Sequence, residues 1–282
     1  MPPVFLSIGH FCYDIVSYGY VVGGAAAYST ITARNLGCKA CAVTAVGTDF
    51  DRHNSVLDRI DVTYHKSPET TIFENRYGAD GRRQQFILGI GGKLQSHHIP
   101  HRWKDADIVY LCPLADEVEP ILVQRFDRAL IGVTPQGWMR HWDESRRVRP
   151  KRWHTAEVIL PYADVLVLSE EDIAGYPEEL EKYIQWTRIV VLTKGKHGAT
   201  LYENGQTLES DAYPANEVDP TGAGDVFAAA FLIKYRETQS SRTALNFAHC
   251  VASFAIEGEG TTSIPTLDQV NARLRQTTED WE

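Results

Sequence analysis

The sequence predicts an α/β protein with a mostly parallel central sheet. Short apolar, β-branched runs alternate with helix-like segments along most of its 282 residues, and no internal repeat or low-complexity linker divides them. Residues 4–9 read as a short buried strand, 25–36 as an Ala-rich helix closed by Gly37, and 40–46 as a second strand. Residues 51–60 read as a short amphipathic helix, which completes a strand–helix–strand–helix rhythm. The pattern then changes. Residues 70–77 and 84–88 are extended runs around the turn sequence Gly78-Ala79-Asp80-Gly81, and the hairpin carries Glu74, Arg76, Arg82, Arg83, Gln84 and Gln85. So many polar groups do not suit a buried strand, so the hairpin is expected to project from the main sheet. Strands resume at 107–111, 129–133, 165–168 and 189–193. Two more, 199–203 and 207–211, flank Asn204-Gly205, and the last third is helical over 223–235, 242–256 and 267–274. One domain over 1–282 with a lid hairpin at about 70–88 is the economical reading.

Composition excludes several function classes. Hydrophobic residues make up 43% and charged residues 23%, which rules out general disorder. With 28 Lys+Arg against 37 Asp+Glu, the net charge of -9 argues against coating nucleic acid. No apolar run approaches the length of a membrane span, and MPPVFLSIGH lacks the basic start of a secretory leader. Five cysteines, an odd number in a chain too long to need staples, fit a reducing cytoplasmic setting. Cys38 and Cys41 form a CxxC without a second pair, so they read as plain thiols rather than zinc ligands. His97, His98 and His101 sit beside Pro100 in a loop-like segment and read as a solvated loop.

The segment Asp219-Pro220-Thr221-Gly222-Ala223-Gly224-Asp225 carries the chemistry. Three small residues leave the backbone uncovered just where an apolar helix begins, and free N–H groups at a helix start form an anion site. Asp225 would repel a resting phosphate. It suits a phosphoryl group in transfer, where a carboxylate takes the proton of the attacking hydroxyl. Taken alone, the short motif leaves a plain Gly-rich helix cap equally open. The sequence has no GxxxxGK[ST], no HRD or DFG pair, and no GxGxxG after the first strand, which excludes Walker-type NTPases, protein kinases and nicotinamide dehydrogenases.

The longer string, followed by a small-residue helix, resembles the C-terminal signature of the ribokinase-like (PfkB) family of carbohydrate kinases. Further segments resemble that family in the right order: Ser7-Ile8-Gly9 leading to Asp14, Gly23-Gly24 with a helix ending Asn35-Leu36-Gly37, Val46-Gly47-Thr48-Asp49, Leu192-Thr193-Lys194-Gly195 with Gly198, and Glu257-Gly258-Glu259-Gly260 with Ile264-Pro265-Thr266. The resemblance implies a three-layer α/β/α fold with a small β-lid over the substrate. It implies Asp225 as general base and the N–H groups of Gly222, Ala223 and Gly224 as anion hole. It places Asp14, Gly23, Gly24, Tyr28 and Gln136 on the substrate side, and Thr193, Gly195, Gly198, Thr221 and Asn246 on the nucleotide side. ATP and Mg²⁺ are the implied cofactors, with room for a monovalent cation. The partner is a small polyol or sugar rather than nucleic acid or membrane, and the protein would be a monomer or homodimer.

Three departures from the family pattern shape the expectations. Tyr28 stands where the Gly-Gly-x-x-x-Asn pattern has Asn, which changes the acceptor pocket. Only residues 15–22 separate Asp14 from Gly23, so the lid is expected to be reduced to the 70–88 hairpin. Ser169-Glu170-Glu171-Asp172 aligns with the family's Asn-x-x-Glu, so Asp172 is the metal-side carboxylate, or Glu171 after a one-residue shift. The compact Gly-Gly start and Thr134-Pro135-Gln136-Gly137-Trp138, followed by Arg140, look most similar to the inositol-kinase-like branch. A turn with Trp138 packed beneath it is an equal reading of that loop. The resulting expectation is an ATP-dependent kinase of a cyclitol or sugar hydroxyl. The alternatives are a nucleoside kinase, with Tyr28 stacking on a base, and a catalytically weakened sugar-binding regulatory protein.

Overall fold

The computed structural model describes residues 1–77 and 83–279. The chain opens with β1 (Val4–Ile8), the hairpin β2 (Cys12–Val16) and β3 (Gly19–Gly23), α1 (Ala25–Asn35) and β4 (Lys39–Val46). It continues through β5 (Asp61–Lys66), β6 (Thr71–Tyr77), β7 (Arg83–Gly89), β8 (Ile108–Leu111), β9 (Leu130–Val133), β10 (Arg140–Trp142), β11 (Val148–Pro150) and the single-turn α2 (Ala156–Ile159). Then come β12 (Val165–Ser169), α3 (Glu170–Ile173), α4 (Leu180–Trp186), β13 (Ile189–Thr193), β14 (Ala199–Glu203), β15 (Gln206–Ser210), α5 (Ala223–Thr238), α6 (Ser241–Ala255) and α7 (Leu267–Glu279).

The main sheet has nine strands in the order β15-β14-β13-β12-β9-β8-β1-β4-β5. From β5 to β13 neighbouring strands are parallel, and β14 and β15 close the far edge as an antiparallel hairpin. Central strands such as β8 and β12 are apolar on both faces because both faces are covered. Phe5, Ile108, Tyr110, Val165 and Val191 join a core with α1, α5 and α6. Their sequence neighbours Leu6, Val109, Leu111, Leu166 and Val190 join a second core with α2 and the turns on the opposite face. This strict alternation makes the three layers, as expected.

Two expectations change. Residues 51–60 are not a helix. They hold one 3₁₀ turn, Ser55–Leu57, whose start is capped by the Asn54 side chain, while Arg59 at φ 62° breaks any continuation. The apolar positions there, Val56, Leu57 and Ile60, pack with the core that includes α1. The lid is also larger than expected. The hairpin β6–β7 exists, with its turn at Gly78-Ala79-Asp80-Gly81 and Arg82 lying outside the described residues, but it is half of a four-stranded sheet in the order β3-β2-β6-β7. The eight residues between Asp14 and Gly23 fold into the tight hairpin β2–β3, and β2 pairs in parallel with β6, setting Asp14 opposite Phe73.

Buried polar groups anchor this second sheet to the main one. The Glu117 carboxylate, 1% exposed, accepts the backbone N–H groups of His10, Leu114 and Ala115. The His10 ring lies between Thr71 Oγ1 at 2.7 Å and the Gly92 carbonyl at 2.8 Å. In Val46-Gly47-Thr48-Asp49, the Gly47 N–H donates to Thr70 Oγ1 and the Thr70 hydroxyl donates to Asp49, so that motif holds the root of β6. Asn35 donates to the Ile264 carbonyl, linking the end of α1 to the chain's C-terminal motif. The five cysteines are free thiols, four of them buried. The His98 ring packs at a tilt against those of His65 and His97, within the 3₁₀ turn Ser96–His98, and no metal-holding group occurs among the described residues. No described helix is long and apolar enough to cross a membrane.

Candidate active site

A cleft of about 820 Å³ lies at the carboxyl ends of the parallel strands, roofed by the second sheet. The ends of β9, β12 and β13 contribute Thr134, Ser169 and Thr193, and α5 points its N-terminus into the cleft with Gly222, Ala223, Gly224 and Asp225. The inner face of the lid contributes Cys12, Asp14, Phe73, Asn75 and Gln85.

The glycine motifs acquire physical reasons here. Gly222 caps α5 at φ 78°, and a Cβ there would lie 2.4 Å from the Tyr28 ring. Tyr28, 3% exposed, therefore fills the floor beside the helix start, and its position requires that residue 222 have no side chain. A Cβ on Gly23 would lie 2.0 Å from Asp14 Oδ2, so the Asp14 carboxylate rests on bare backbone. Asp219 shapes the loop, accepting the N–H of Thr221 at 2.9 Å and that of Gly260 at 3.2 Å. Of the three predicted anion-hole donors, Ala223 turns its N–H onto the Pro220 carbonyl at 3.2 Å. Among the described residues no backbone carbonyl accepts from Gly222 or Gly224.

Asp225 is half-buried at the head of α5. Burial raises its pKa from the ordinary carboxylate range to about 7. A hydrogen bond from Tyr110 and the Arg140 charge pull it down, and Asp172 pushes it further up. Burial also pushes the Tyr28 and Cys12 groups upward, reinforced by Asp14. A carboxylate with a pKa near neutrality, beside open N–H donors, can accept a hydroxyl proton while a phosphoryl group sits on the helix start.

The structure brings most predicted residues together. Asp14, Gly24, Tyr28, Gln136, Thr193, Gly195, Gly198, Thr221, Glu171 and Asp172 all line the cleft. Gly23 lies directly beneath Asp14. Gly198 at φ 82° is required by packing, since a Cβ would meet the Ser210 carbonyl oxygen at 1.9 Å. Trp138 is buried, stacks on Trp153 and donates to the Val118 carbonyl, so the turn-over-tryptophan reading of that loop holds while Gln136 still reaches the cleft. Asn246 does not take its expected place. It is exposed near the start of α6, and His249, Ala252, Ser253 and Ile256 of that helix line the cleft instead. His249 packs edge-on against Phe227 at 5.0 Å. Its buried Nε2 has no partner among the described residues, and burial lowers its pKa to about 4, so the ring is neutral. Asp172 has a structural task besides facing the cleft: it accepts from the Ser169 N–H at 2.9 Å and hydroxyl at 2.8 Å, closing a capping box on α3.

Residues 14–267 match the profile described as pfkB family carbohydrate kinase. The chain belongs to this family. As a pfkB-family member it is a phosphotransferase with a hydroxyl acceptor, a carbohydrate or nucleoside kinase of the ribokinase-like fold. A cytidine kinase of Thermococcus kodakarensis is 29% identical over 230 residues, 76% of this chain and 80% of that protein. A solved pyrophosphate-dependent kinase of the ribokinase family, complexed with a pyrophosphate analog and myo-inositol, superposes with a TM-score of 0.79 at 22% identity over 95% of this chain and 99% of that one. A ribokinase-like protein of E. coli in complex with ATP and Mg²⁺ superposes with a TM-score of 0.78 at 19% identity, over 98% and 100%.

Sequence reasoning noted the segment with Thr134 and Arg140 but assigned neither a site role, and it missed Asn75, Tyr110 and His249. Asn75 lies on β6, which pairs with the distant β2, Arg140 opens the local two-stranded ribbon β10–β11, and Tyr110 reads as an ordinary core aromatic. His249 was legible in principle, as a histidine on a helix stripe at i, i+3, i+4, i+7 with Ala252, Ser253 and Ile256.

Proposed function

We propose that this pfkB-family kinase transfers the γ-phosphate of ATP to a hydroxyl of a small polyol or sugar, with Asp225 as general base. The observation that carries the reading is the meeting of Asp225, the open N–H groups of Gly222 and Gly224, and Asp14 in one roofed cleft. Asp14 would accept two acceptor hydroxyls and so choose the one that faces Asp225. The lid amides Asn75 and Gln85, joined by a 3.2 Å hydrogen bond, offer further polar contacts to a polyhydroxylated ring. At the other end of the cleft, Phe227, Ala252 and Ile256 supply apolar lining together with His249, whose Nε2 has no partner among the described residues, which suits a nucleobase better than a bare pyrophosphate. This favours ATP as donor.

Mg²⁺ fits a site of this composition. The ion keeps several waters and commonly takes one or two carboxylates plus substrate phosphates, and Asp172, or Glu171 beside it, lines the cleft and would hold such a hydrated ion. Bound there, it would neutralise charge on the transferring phosphate. The chain's own residues then do the rest: the helix start receives the phosphoryl oxygens, Asp225 takes the hydroxyl proton, and the lid excludes water.

The test is donor consumption with ATP or pyrophosphate across myo-inositol, other cyclitols, hexoses, pentoses and cytidine. Turnover with ATP and a polyol or sugar supports the proposal. Cytidine phosphorylation would select the nucleoside-kinase reading, which the 29% identity to a cytidine kinase favours. Tight binding of acceptors without turnover of any donor would select the regulatory reading and overturn the proposal.

A further inference from the structure

We infer that the buried hydroxyl pair Tyr110–Thr134 is a positioning device that aims the Asp225 carboxylate and keeps it ionised for proton abstraction. Tyr110 stands on β8, is fully buried, and its hydroxyl reaches Asp225 Oδ1 at 3.2 Å and Thr134 Oγ1 at still shorter range. A phenol has one proton. While Asp225 is ionised, that proton goes to Oδ1, and the Thr134 hydroxyl must then donate to the Tyr110 oxygen. The chain Thr134 to Tyr110 to Asp225 thus fixes one carboxylate oxygen and leaves the other toward the cleft. When Asp225 has taken the acceptor's proton on the cleft-facing oxygen, Oδ1 still accepts from Tyr110, so the chain Thr134 to Tyr110 to Asp225 keeps its direction. No heavy atom moves and no proton is lost. Thr134 lines the cleft, so the pair also connects the buried side of Asp225 to the space where the acceptor binds.

The charged and titratable groups facing Asp225 are Tyr110 and Cys112 from β8 and its end, Cys12 from β2, Tyr28 from α1, Arg140 from β10 and Asp172 from α3. Of these, Tyr110 and Arg140 favour the ionised carboxylate, and burial and Asp172 oppose it. Tyr110 donates a hydrogen bond to it at 3.2 Å. Burial and the Asp225 charge hold the Tyr110 phenol itself protonated, as the donor role requires.

This inference rests on Asp225 as general base, and its first test needs no substrate. The carboxyl ¹³C shift of Asp225, assigned by its loss in Asp225→Asn, is titrated in wild type and in Tyr110→Phe. The apparent pKa should rise by about one unit in Tyr110→Phe, the loss of one charge-assisted hydrogen bond. With ATP and whichever of myo-inositol, ribose or cytidine turns over fastest, kcat should fall about ten-fold while KM for both substrates stays within about two-fold. The acid limb of the kcat profile should move up with the NMR value. An unshifted carboxyl titration overturns the inference even if no acceptor reacts, and an inactive wild type with a shifted titration overturns only the kinase reading. If Tyr110→Phe fails to fold, Thr134→Val and Thr134→Ser decide. Thr134→Val should raise the Asp225 pKa and Thr134→Ser should restore most of the difference, whereas equal behaviour of the two overturns the inference.

Discussion

Replacing Gly222 with alanine tests the site where backbone, aromatic floor and anion hole meet. The residue sits at φ 78°, which costs a side-chain-bearing residue about 1–2 kcal/mol. The new Cβ would lie 2.4 Å from Cδ1 and Cε1 of Tyr28, where carbon atoms normally sit at about 3.5 Å, so something must move by about 1 Å. Tyr28 is 3% exposed and its ring has nowhere to swing, so the loop carrying the Gly222 and Gly224 N–H groups moves instead. A displacement of about 1 Å at a reacting centre costs on the order of 10²-fold in rate. We expect Gly222→Ala to fold with a lowered Tm and to lose about 10²-fold in kcat/KM. Gly224→Ala, whose Cβ meets nothing within 4 Å, should lose far less. Steady-state kinetics beside a thermal melt read both effects. Combining Gly222→Ala with Tyr28→Ala should recover part of the rate relative to Tyr28→Ala alone, because the clash is gone and only the φ strain remains. A Gly222→Ala enzyme with near wild-type kcat/KM would refute the argument that the Tyr28–Gly222 contact sets the anion hole.

Asp225→Asn should keep its fold and lose about 10²–10⁴-fold in kcat. In wild type, kcat/KM, which reports the free enzyme, should rise with pH through about 7 as the carboxylate ionises, and an acid limb of kcat/KM centred near 4 would exclude the buried base. Because the folded protein binds the Asp225 proton more tightly than the unfolded chain, this group lowers stability as pH rises from about 4 to about 7. The Tm of Asp225→Asn should therefore exceed wild type at pH 8 and converge with it near pH 4. Asp14→Ala should raise acceptor KM by about 2–5 kcal/mol equivalent and leave ATP affinity near normal, and a selective loss of ATP binding by calorimetry would place Asp14 on the wrong side of the cleft. Asp172→Ala should raise the Mg²⁺ needed for half-maximal rate several-fold while Glu171→Ala does not. The opposite result assigns the metal to Glu171 and leaves Asp172 only its cap.

Much of the fold was legible because parallel strands covered on both faces must be apolar throughout. The runs that became β8, β12 and β13 have no other reading. The edges were harder. β5 carries Asp61, His65 and Lys66 among its apolar positions, so it resembles a solvated segment until β4 is placed beside it. The hairpin β2–β3 looked like a connection because its two-residue turn, Ser17-Tyr18, carries no Asn-Gly or Asp-Gly signal. What makes it a lid is its parallel pairing with β6, a contact across nearly sixty intervening residues, and no local pattern announces such a partner.

The site divides along the same line. Backbone chemistry can be read from sequence: Gly222, Gly23 and Gly24 must be small because another group occupies the space where a Cβ would go, and Asp14 and Asp225 stand out beside them. Side-chain chemistry supplied by distant elements cannot. Arg140 and Tyr110 act on Asp225 only because the fold brings the start of the separate ribbon β10–β11 and strand β8 of the main sheet up to the head of α5. Ser169 and Asp172 show how one short motif can serve both ends of the problem. Ser-x-x-Asp is a sufficient helix cap, and its hydrogen bonds here account for both residues without any ligand. Yet that cap also holds the Asp172 carboxylate at the cleft wall, close enough to oppose the ionisation of Asp225. An acidic group so placed adds cost to an empty cleft. A cation bound between Asp172 and the phosphates would remove that cost, lower the Asp225 pKa, and ready the base when the donor is in place.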